Sequence, residues 1–330
     1  MIALSSLLLA SLPVALAGFS STANTNVAVY WGQNSYGQGT GNLSQQSLAT
    51  YCRNSNIDII PMAFLTQMTS GPGGEPVLNF ANQQNGCGVF PGTQLINCPN
   101  IKKDIKTCQN QYGKTVLLSI GGATYGEGGF SNNATAKAWA DKLWAMFGPK
   151  QAGSSELRPF GNAVVDGFDM DMETTMTNSV AFAQRLRTLM NKSTAKKFYL
   201  TAAPQCPYPD HAVGPMLANV GFDAIFVQFY NNYCGLQSFT SGTSTQNDFN
   251  YETWDAYAKT ISKKKVVKIF LGVPAGPTAA GSGYKKVADL RPIINYCKQF
   301  SSFGGVMSWD LSQAMANSGF LGGVKKALKA

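Results

Sequence analysis

The chain has 330 residues, 44% of them hydrophobic and 13% charged, with a formal charge of +9. This composition excludes a disordered protein, and no apolar run after the N-terminus approaches the roughly 20 residues of a membrane span. Because the lysines are dispersed, except at 263–265, and no nucleic-acid motif accompanies them, we expect neither a nucleic acid nor a membrane as partner.

Residues 2–17 have the composition of a secretory signal peptide. An apolar stretch is followed by the small residues Ala15 and Ala17, which suit a signal peptidase. We predict cleavage after Ala17, a secreted, extracellular and monomeric protein, and one domain over residues 18–330. The stretch lacks Lys and Arg, so a buried N-terminal helix is the alternative interpretation.

Eight short runs rich in β-branched and aromatic residues recur at helix-length intervals. They cover residues 27–30, 57–65, 115–120, 163–172, 197–202, 224–230, 268–273 and 304–309. This alternation is typical of a parallel sheet covered by helices, and eight is the strand number of a closed barrel. The sequence therefore predicts an α/β protein, a single-domain (β/α)8 TIM barrel.

The segments between the runs predict the helices and loops of such a barrel. Val180, Ala183, Leu186 and Met190 fall on one helical face, and residues 136–147 have a similar apolar stripe. Two stretches rich in Gly, Asn and Cys are interpreted as ordered insertions and not as linkers. They are residues 66–100 and 231–250.

Acidic residues at the end of the fourth run, DGFDMDME at 166–173, carry the candidate chemistry. Strand side chains alternate between faces, so Asp169, Asp171 and Glu173 point together into the barrel, where such barrels place their active sites. Asp166 has the opposite parity and is interpreted as structural. Neighbouring carboxyl groups in an apolar pocket cannot all ionise, so we expect at least one raised pKa, which suits acid catalysis.

A salt-bridged acidic cluster and a Ca²⁺ or Mg²⁺ site are the alternatives to acid catalysis. Metals at barrel mouths draw carboxylates from several strands, and no other predicted strand end carries acids. The single histidine, His211, excludes most zinc sites and any Ser-His-Asp triad, and we assign it no role. We therefore expect no metal ion and no cofactor.

The acidic run resembles the DxxDxDxE signature of family 18 glycoside hydrolases, and its flanks are similar to the plant and fungal class III chitinases. The similar segments span nearly the whole chain after residue 17: AVYWGQN (28–34), SIGG (119–122), TAAPQCP (201–207), VQFYNN (227–232), FLGVP (270–274) and GGVMSW (304–309). The resemblance implies an endo-chitinase that hydrolyses β-1,4 linkages between N-acetylglucosamine units of chitin and its oligosaccharides.

The resemblance also implies roles for individual residues. Glu173 would be the general acid and base, Asp171 and Tyr230 would hold the substrate's 2-acetamido group, and Asp169 would modulate Asp171. Trp309 would form the floor of the subsite for the reacting sugar. Further sugar contacts, each with core packing as its alternative, would be Tyr30, Gln33, Phe64, Gly122 and Gln228.

The mechanism is expected to retain the anomeric configuration with the help of the substrate. Asp171 and Glu173 lie on one face of one strand, so neither can oppose the leaving group across the sugar ring, whereas the 2-acetamido oxygen can. Two alternatives stay open: an inactive chitin-binding lectin or inhibitor, and an endo-β-N-acetylglucosaminidase acting on N-glycans.

Seven cysteines in an exported chain indicate disulfides with one thiol left over. The resemblance implies three pairs, a free Cys297, and non-proline cis peptide bonds at 63–64 and 309–310. Met170 and Met172 stand where that family often has other hydrophobic residues, and we expect them to pack outward under the helices. The implied pairs are Cys52–Cys108, Cys87–Cys98 and Cys206–Cys234.

Overall fold

The computed structural model describes residues 18–330, which form eleven strands and nine α-helices. The strands are β1 (Asn26–Val29), β2 (Ile59–Gln67), β3 (Val77–Leu78), β4 (Gly88–Val89), β5 (Ile96–Asn97), β6 (Thr115–Gly122), β7 (Gly167–Met172), β8 (Tyr199–Ala202), β9 (Ala224–Gln228), β10 (Lys268–Pro274) and β11 (Phe303–Trp309). The helices are α1 (Leu48–Cys52), α2 (Pro99–Asn110), α3 (Asn133–Phe147), α4 (Ser179–Lys192), α5 (Gly214–Asn219), α6 (Tyr251–Thr260), α7 (Val287–Cys297), α8 (Leu311–Ala316) and α9 (Phe320–Lys329). The predicted signal peptide, residues 1–17, lies outside the described residues.

Eight of the strands close into a parallel barrel. Around the barrel the strands follow one another in the order β1, β2, β6, β7, β8, β9, β10 and β11. The barrel closes because β1 pairs with both β2 and β11. The predicted (β/α)8 barrel is therefore confirmed, with each predicted run on one barrel strand. The fourth strand begins at Gly167 and not at Ala163, because Ala163 and Val165 donate their N–H groups to Phe160 and Phe147 rather than to a strand.

Alternation along the strands sorts their side chains into two cores. The inner core fills the barrel, and Phe19 closes it at the amino ends of the strands, where its ring centroid lies 5.0 Å from that of Tyr199 and 6.2 Å from that of Phe270. The outer core lies between the barrel and the helices, and it contains Met170 and Met172, both buried. The outward packing expected for these methionines is thus observed.

The helices cover the barrel with the apolar faces that their spacing predicts. In α4, Ala183, Leu186 and Met190 are buried and Val180 is partly buried. α3 buries Leu143 in the same outer core. No helix within residues 18–330 is both long and apolar enough to span a membrane.

Both predicted insertions are ordered and lie at the carboxyl ends of strands. Residues 66–100 contain β3, which pairs antiparallel with β2, and the two-stranded sheet of β4 and β5. Residues 231–250 follow β9 and contain a single short turn of 3₁₀ helix at Leu236–Ser238. β2 and β9 are the second and sixth of the eight barrel strands, so these loops stand on opposite sides of the barrel mouth.

The structure joins the same three cysteine pairs that the resemblance implied, and it leaves Cys297 free and buried. The Cys87–Cys98 bond closes the first insertion, and the Cys206–Cys234 bond joins the loops that follow β8 and β9. Non-proline cis peptide bonds are present at both expected positions, Ala63-Phe64 and Trp309-Asp310.

Candidate active site

Three acidic side chains of the β7 segment enter the carboxyl end of the barrel at increasing height. Asp169 and Asp171 alternate with the outward methionines, and Glu173 comes directly after the last residue of the strand. Asp169 is 0% exposed and Asp171 is 4% exposed, whereas Glu173 is only partly buried. The three carboxyl groups therefore rise from the closed interior of the barrel toward solvent.

Asp169 is the deepest of the three and is surrounded by hydroxyl groups. Tyr30 and Ser119 donate to its Oδ2, each at 2.7 Å, and Thr201 donates to its Oδ1 at 2.6 Å. Burial raises the pKa of Asp169, and these three hydrogen bonds act in the opposite direction. The hydroxyl groups fix the carboxylate in place without supplying a compensating charge.

Asp171 has a single amide donor and three acidic neighbours. Gln228 donates through Nε2 to Asp171 Oδ1 at 3.0 Å, and also to the carbonyl of Ala203 at 2.9 Å. Burial, followed by the charges of Asp169, Glu173 and then Asp210, raises the pKa of Asp171 well above its ordinary value. The physical cause is that an ionised carboxylate here is both poorly solvated and close to like charges.

Glu173 and Tyr230 stand at the mouth with their polar atoms unpaired. Within residues 18–330, neither the Glu173 carboxyl nor the Tyr230 hydroxyl has a hydrogen-bond partner, so both can meet a bound molecule. Burial and then the charge of Asp210 raise the pKa of Glu173. Burial and the nearby Asp171 and Glu173 raise the pKa of Tyr230 well above its ordinary value, which keeps the phenol a hydrogen-bond donor.

Aromatic rings form the wall of the site. The rings of Trp309 and Phe64 are stacked, with centroids 5.8 Å apart and an interplanar angle of 19°, and Tyr30 lies 5.6 Å from Trp309. A Cβ atom at Gly122 would lie 2.8 Å from the Phe64 ring, and Gly122 has a φ of +82°. Glycine at this position therefore lets Phe64 pack closely, and a flat apolar surface faces the acids.

These elements line one cleft with a cavity volume of about 260 Å³. Seven of the residues predicted from the sequence line it: Gln33, Phe64, Asp171, Glu173, Gln228, Tyr230 and Trp309. Tyr30 is 1% exposed and lies behind the cleft, bonded to Asp169, and neither Gly122 nor Asp169 lines the cavity. The positions of Tyr30 and Gly122 thus favour support of Asp169 and Phe64 over direct sugar contact.

The model of glycosyl hydrolases family 18 matches residues 26–286 of the chain. The chain belongs to this family. The class III chitinase of Arthroderma benhamiae is 50% identical to it over 325 residues, which cover 98% of this chain and 91% of that protein.

Solved structures of similar proteins include both an enzyme and an inhibitor. The chitinase from Ipomoea carnea is 30% identical, with a TM-score of 0.72, and the match covers 92% of this chain and 99% of that one. The xylanase and alpha-amylase inhibitor protein from Scadoxus multiflorus is 32% identical, with a TM-score of 0.71, over 91% of this chain and 97% of that one. The barrel alone therefore does not separate the two activities, and the side chains of the cleft must.

In this family 18 protein, several residues of the cleft were not predicted from the sequence. Gln205, Asn231 and Asn232 line the cavity, and Asn232 donates to Gln205 Oε1 at 3.0 Å. All three lie within four residues of the carboxyl end of a barrel strand, so the rule that strand carboxyl ends face the mouth could have identified them. Ser119 and Thr201 also went unassigned, although both lie in register with Asp169 on the neighbouring strands.

The acidic set of this family 18 site is larger than the sequence indicated. Asp210, in the loop between β8 and α5, is buried and close enough to raise the pKa of both Asp171 and Glu173. Asp210 is a loop residue, since β8 ends at Ala202. The expectation that no other strand end carries an acid is contradicted instead by Asp310, which follows β11 directly. Within residues 18–330, no group of three or more His, Cys, Asp or Glu residues is arranged to hold a metal ion.

Two remaining residues of the motif region lie outside the cleft. Asp166, interpreted as structural, accepts the N–H of Val116 at 2.8 Å and pairs with Lys196 at 2.5 Å, at the amino end of the barrel. His211, to which no role was assigned, is exposed, and its Nε2 lies 3.0 Å from the hydroxyl of Thr175. The family 18 cleft therefore combines a carboxyl group whose pKa is raised by burial, a deeper carboxyl group, a phenol donor and an aromatic wall, which suits acid-assisted cleavage of a sugar polymer.

Proposed function

We propose that this family 18 hydrolase is an endo-chitinase that cleaves the β-1,4 linkage between N-acetylglucosamine units. The observation that carries the proposal is that Glu173, Asp171 and Tyr230 line one cleft opposite the stacked ring of Trp309. An apolar ring suits the apolar face of a sugar, and the polar groups suit its acetamido group and glycosidic oxygen. The 50% identity to a class III chitinase supports chitin as the substrate.

The proposed reaction uses the substrate's own acetamido oxygen as the nucleophile. Protonated Glu173 gives its proton to the glycosidic oxygen as the bond to the anomeric carbon breaks, and the acetamido oxygen bonds to that carbon from the opposite side. Asp171 and Tyr230 hold the acetamido group and stabilise the charge of the oxazolinium ion. Glu173, now ionised, takes a proton from water as the water's oxygen bonds to the anomeric carbon. The bond between that carbon and the acetamido oxygen breaks, which regenerates the acetamido group, and the configuration is retained.

The test is the product pattern and anomeric form released from a chitin hexamer. We expect internal cleavage, β-anomeric first products by NMR, and no cleavage where the reacting unit is glucosamine, because that unit has no acetamido oxygen. Initial α-anomeric products, or efficient cleavage after a deacetylated unit, would contradict the mechanism. Tight hexamer binding without turnover would instead indicate an inactive lectin or inhibitor, and cleavage of a high-mannose glycoprotein in preference to the hexamer would indicate an N-glycan hydrolase.

We also propose that the protein is secreted as a monomer after cleavage at Ala17. Three disulfides within one chain suit an oxidising compartment, and residues 1–17 have the composition of a leader. N-terminal sequencing of the protein from culture medium should begin at Gly18, and light scattering should give the mass of one chain. A secreted protein that begins at Met1 would contradict the cleavage.

A further inference from the structure

Asp210 is a buried carboxylate held almost entirely by the backbone. Its Oδ1 accepts the N–H groups of Ala212 at 2.9 Å and Val213 at 2.7 Å, and its Oδ2 accepts that of Gln205 at 2.9 Å. The side chain is 8% exposed and is not part of the cleft wall. Three fixed donors therefore give this carboxylate one position, behind the surface that a substrate would touch.

The loop that carries Asp210 is tied to the segment that carries Glu173. His211, the next residue, lies 3.0 Å from Thr175 in the segment after Glu173. The Cys206–Cys234 disulfide joins the same loop to the segment after β9. Asp210 is thus fixed directly behind the cleft that Glu173 lines, because Gln205, whose N–H it accepts, lines the same cleft.

The charged and titratable groups around Glu173 do not neutralise Asp210. Burial raises the pKa of Asp210, while its three N–H donors and the charge of His211 act in the opposite direction. No Lys or Arg of the described chain forms an ion pair with Asp210 or Glu173. Asp171 and Tyr230 are the other titratable groups facing Glu173. The charge of Asp210 therefore acts on Glu173 with no Lys or Arg of the described residues paired to either carboxyl group.

We propose that Asp210 is a positioning residue for the acid step, a fixed negative charge behind the cleft that opposes ionisation of Glu173 and so keeps it ready to donate its proton. This inference rests on the proposed function, in which Glu173 is the acid. Asp210 touches neither substrate nor water in this scheme. It acts through space on Glu173, and through Gln205 it also fixes one wall of the cleft.

The test is the pH dependence of kcat/KM on a chitin oligomer for Asp210→Asn. Without the charge, Glu173 ionises at a lower pH, so the alkaline limb of the profile should move to lower pH. On that limb kcat/KM should fall about tenfold for each pH unit of displacement, while the maximum changes much less. Asp210→Glu, which keeps the charge, should restore most of the wild-type limb. An equal loss at every pH would reduce Asp210 to a structural role and overturn the proposal.

The matched control is Glu127→Gln. Glu127 is also a carboxylate held by successive backbone N–H groups of a loop, those of Met68 at 2.5 Å and Ser70 at 2.7 Å among them, but it is not among the groups that shift Glu173. Its substitution should leave the alkaline limb in place. A shift of the same size as in Asp210→Asn would contradict a specific effect of Asp210.

A second variant and a second measurement separate this inference from the proposed function. Asp210→Ser removes the charge but keeps a hydroxyl acceptor for the N–H groups two and three residues later, so it carries the test if Asp210→Asn does not fold. The ¹³C shift of the Glu173 carboxyl, followed against pH in wild type and Asp210→Ser, reports the ionisation without turnover. An unchanged titration midpoint overturns the inference. A hexamer that stays intact overturns the function alone.

Discussion

Acidic side chains lie at both ends of the barrel, and their surroundings are opposite. The basal acids, at the amino ends of the strands, are Asp58, Asp166 and Asp223. Each comes directly before a barrel strand and accepts an N–H from the neighbouring strand, at 2.7 to 2.9 Å. Each also forms an ion pair with Lys or Arg. Every basal charge is therefore compensated.

The rim acids, at the carboxyl ends, have no such compensation. They are Asp169, Asp171, Glu173 and Asp210. None of them takes part in an ion pair with a Lys or Arg of residues 18–330. Their hydrogen bonds come from hydroxyl, amide and backbone N–H groups, and burial raises the pKa of all four.

The difference shows how one residue type serves two purposes in one barrel. A carboxylate that is paired with a cation and with backbone donors stays ionised and joins parts of the fold. A carboxyl group that loses water without gaining a cation stays close to protonation, which costs folding stability and suits proton transfer. We therefore expect substitutions of basal acids to change stability and substitutions of rim acids to change turnover.

The largest contrast should come from Glu173→Gln at the rim and Asp58→Asn at the base. Loss of the general acid should lower kcat about 10²–10⁴-fold, while hexamer binding measured by calorimetry persists, because the shape of the cleft and its stacking surface remain. Asp58→Asn makes the same change of carboxylate to amide beside Lys325. It should lower the unfolding temperature and leave kcat near the wild-type value. Equal loss of turnover in both variants would break the comparison.

The largest effect on stability should come from Asp223→Asn. Asp223 has a side chain only 1% exposed and pairs with both Arg187 and Lys264. Neutralising it leaves two cations facing each other without an anion, which costs about 3 kcal/mol or more. Urea unfolding should measure this loss in the free energy of unfolding, with kcat/KM unchanged at temperatures where the variant is folded. A loss well below 1 kcal/mol would contradict the role given to the basal acids.

Sequence patterns predicted the barrel because burial on both faces leaves a strong signal in a strand. They did not predict where the fourth barrel strand begins, since the turn at 163–165 is as apolar as the strand that follows it. β4 and β5 were missed because two-residue strands among Gly, Asn and Pro have no periodicity.

The candidate site was predictable where residues follow the strand period and not where a loop folds back. Asp169, Asp171 and Glu173 share one strand segment, so their common direction follows from the period alone. Asp210 reaches the mouth only because its loop is fixed by backbone hydrogen bonds and by the contact of His211 with Thr175. The basal acids can be recognised in the sequence as acidic residues directly before a strand, but the cations that pair with them are distant in sequence.

A smaller effect is expected from pH, which should change the stability of the wild type through Asp171 and not that of Asp171→Asn. The pKa of Asp171 in the folded protein is raised well above the ordinary 3.8. The contribution of protonated Asp171 to folding stability is therefore fully present below the ordinary pKa. It is lost as the pH rises through the folded-state pKa. Asp171→Asn does not titrate, so its unfolding temperature relative to wild type should rise as the pH goes from 4 to 7. A constant difference between the two across this range would contradict an uncompensated charge at the rim.

The smallest effect should come from Asp141→Asn, which removes an exposed ion pair to an arginine of the same helix that supplies one partner of the buried Asp223. Asp141 pairs with Arg185 at 2.7 Å, Asp223 pairs with Arg187 at 2.6 Å, and both arginines belong to α4. The Asp141 side chain is 45% exposed and that of Arg185 35%, so water screens the pair and its loss should change the free energy of unfolding by about 0–0.5 kcal/mol. The same urea titration measures both variants. If Asp141→Asn cost as much as Asp223→Asn, the ion pair alone would account for the basal acids, and neither burial nor the strand N–H would be needed. A large cost confined to Asp223→Asn would instead show that the basal acids stabilise the barrel through their buried contacts with it, whereas the same burial without a cation raises the pKa of the rim acids.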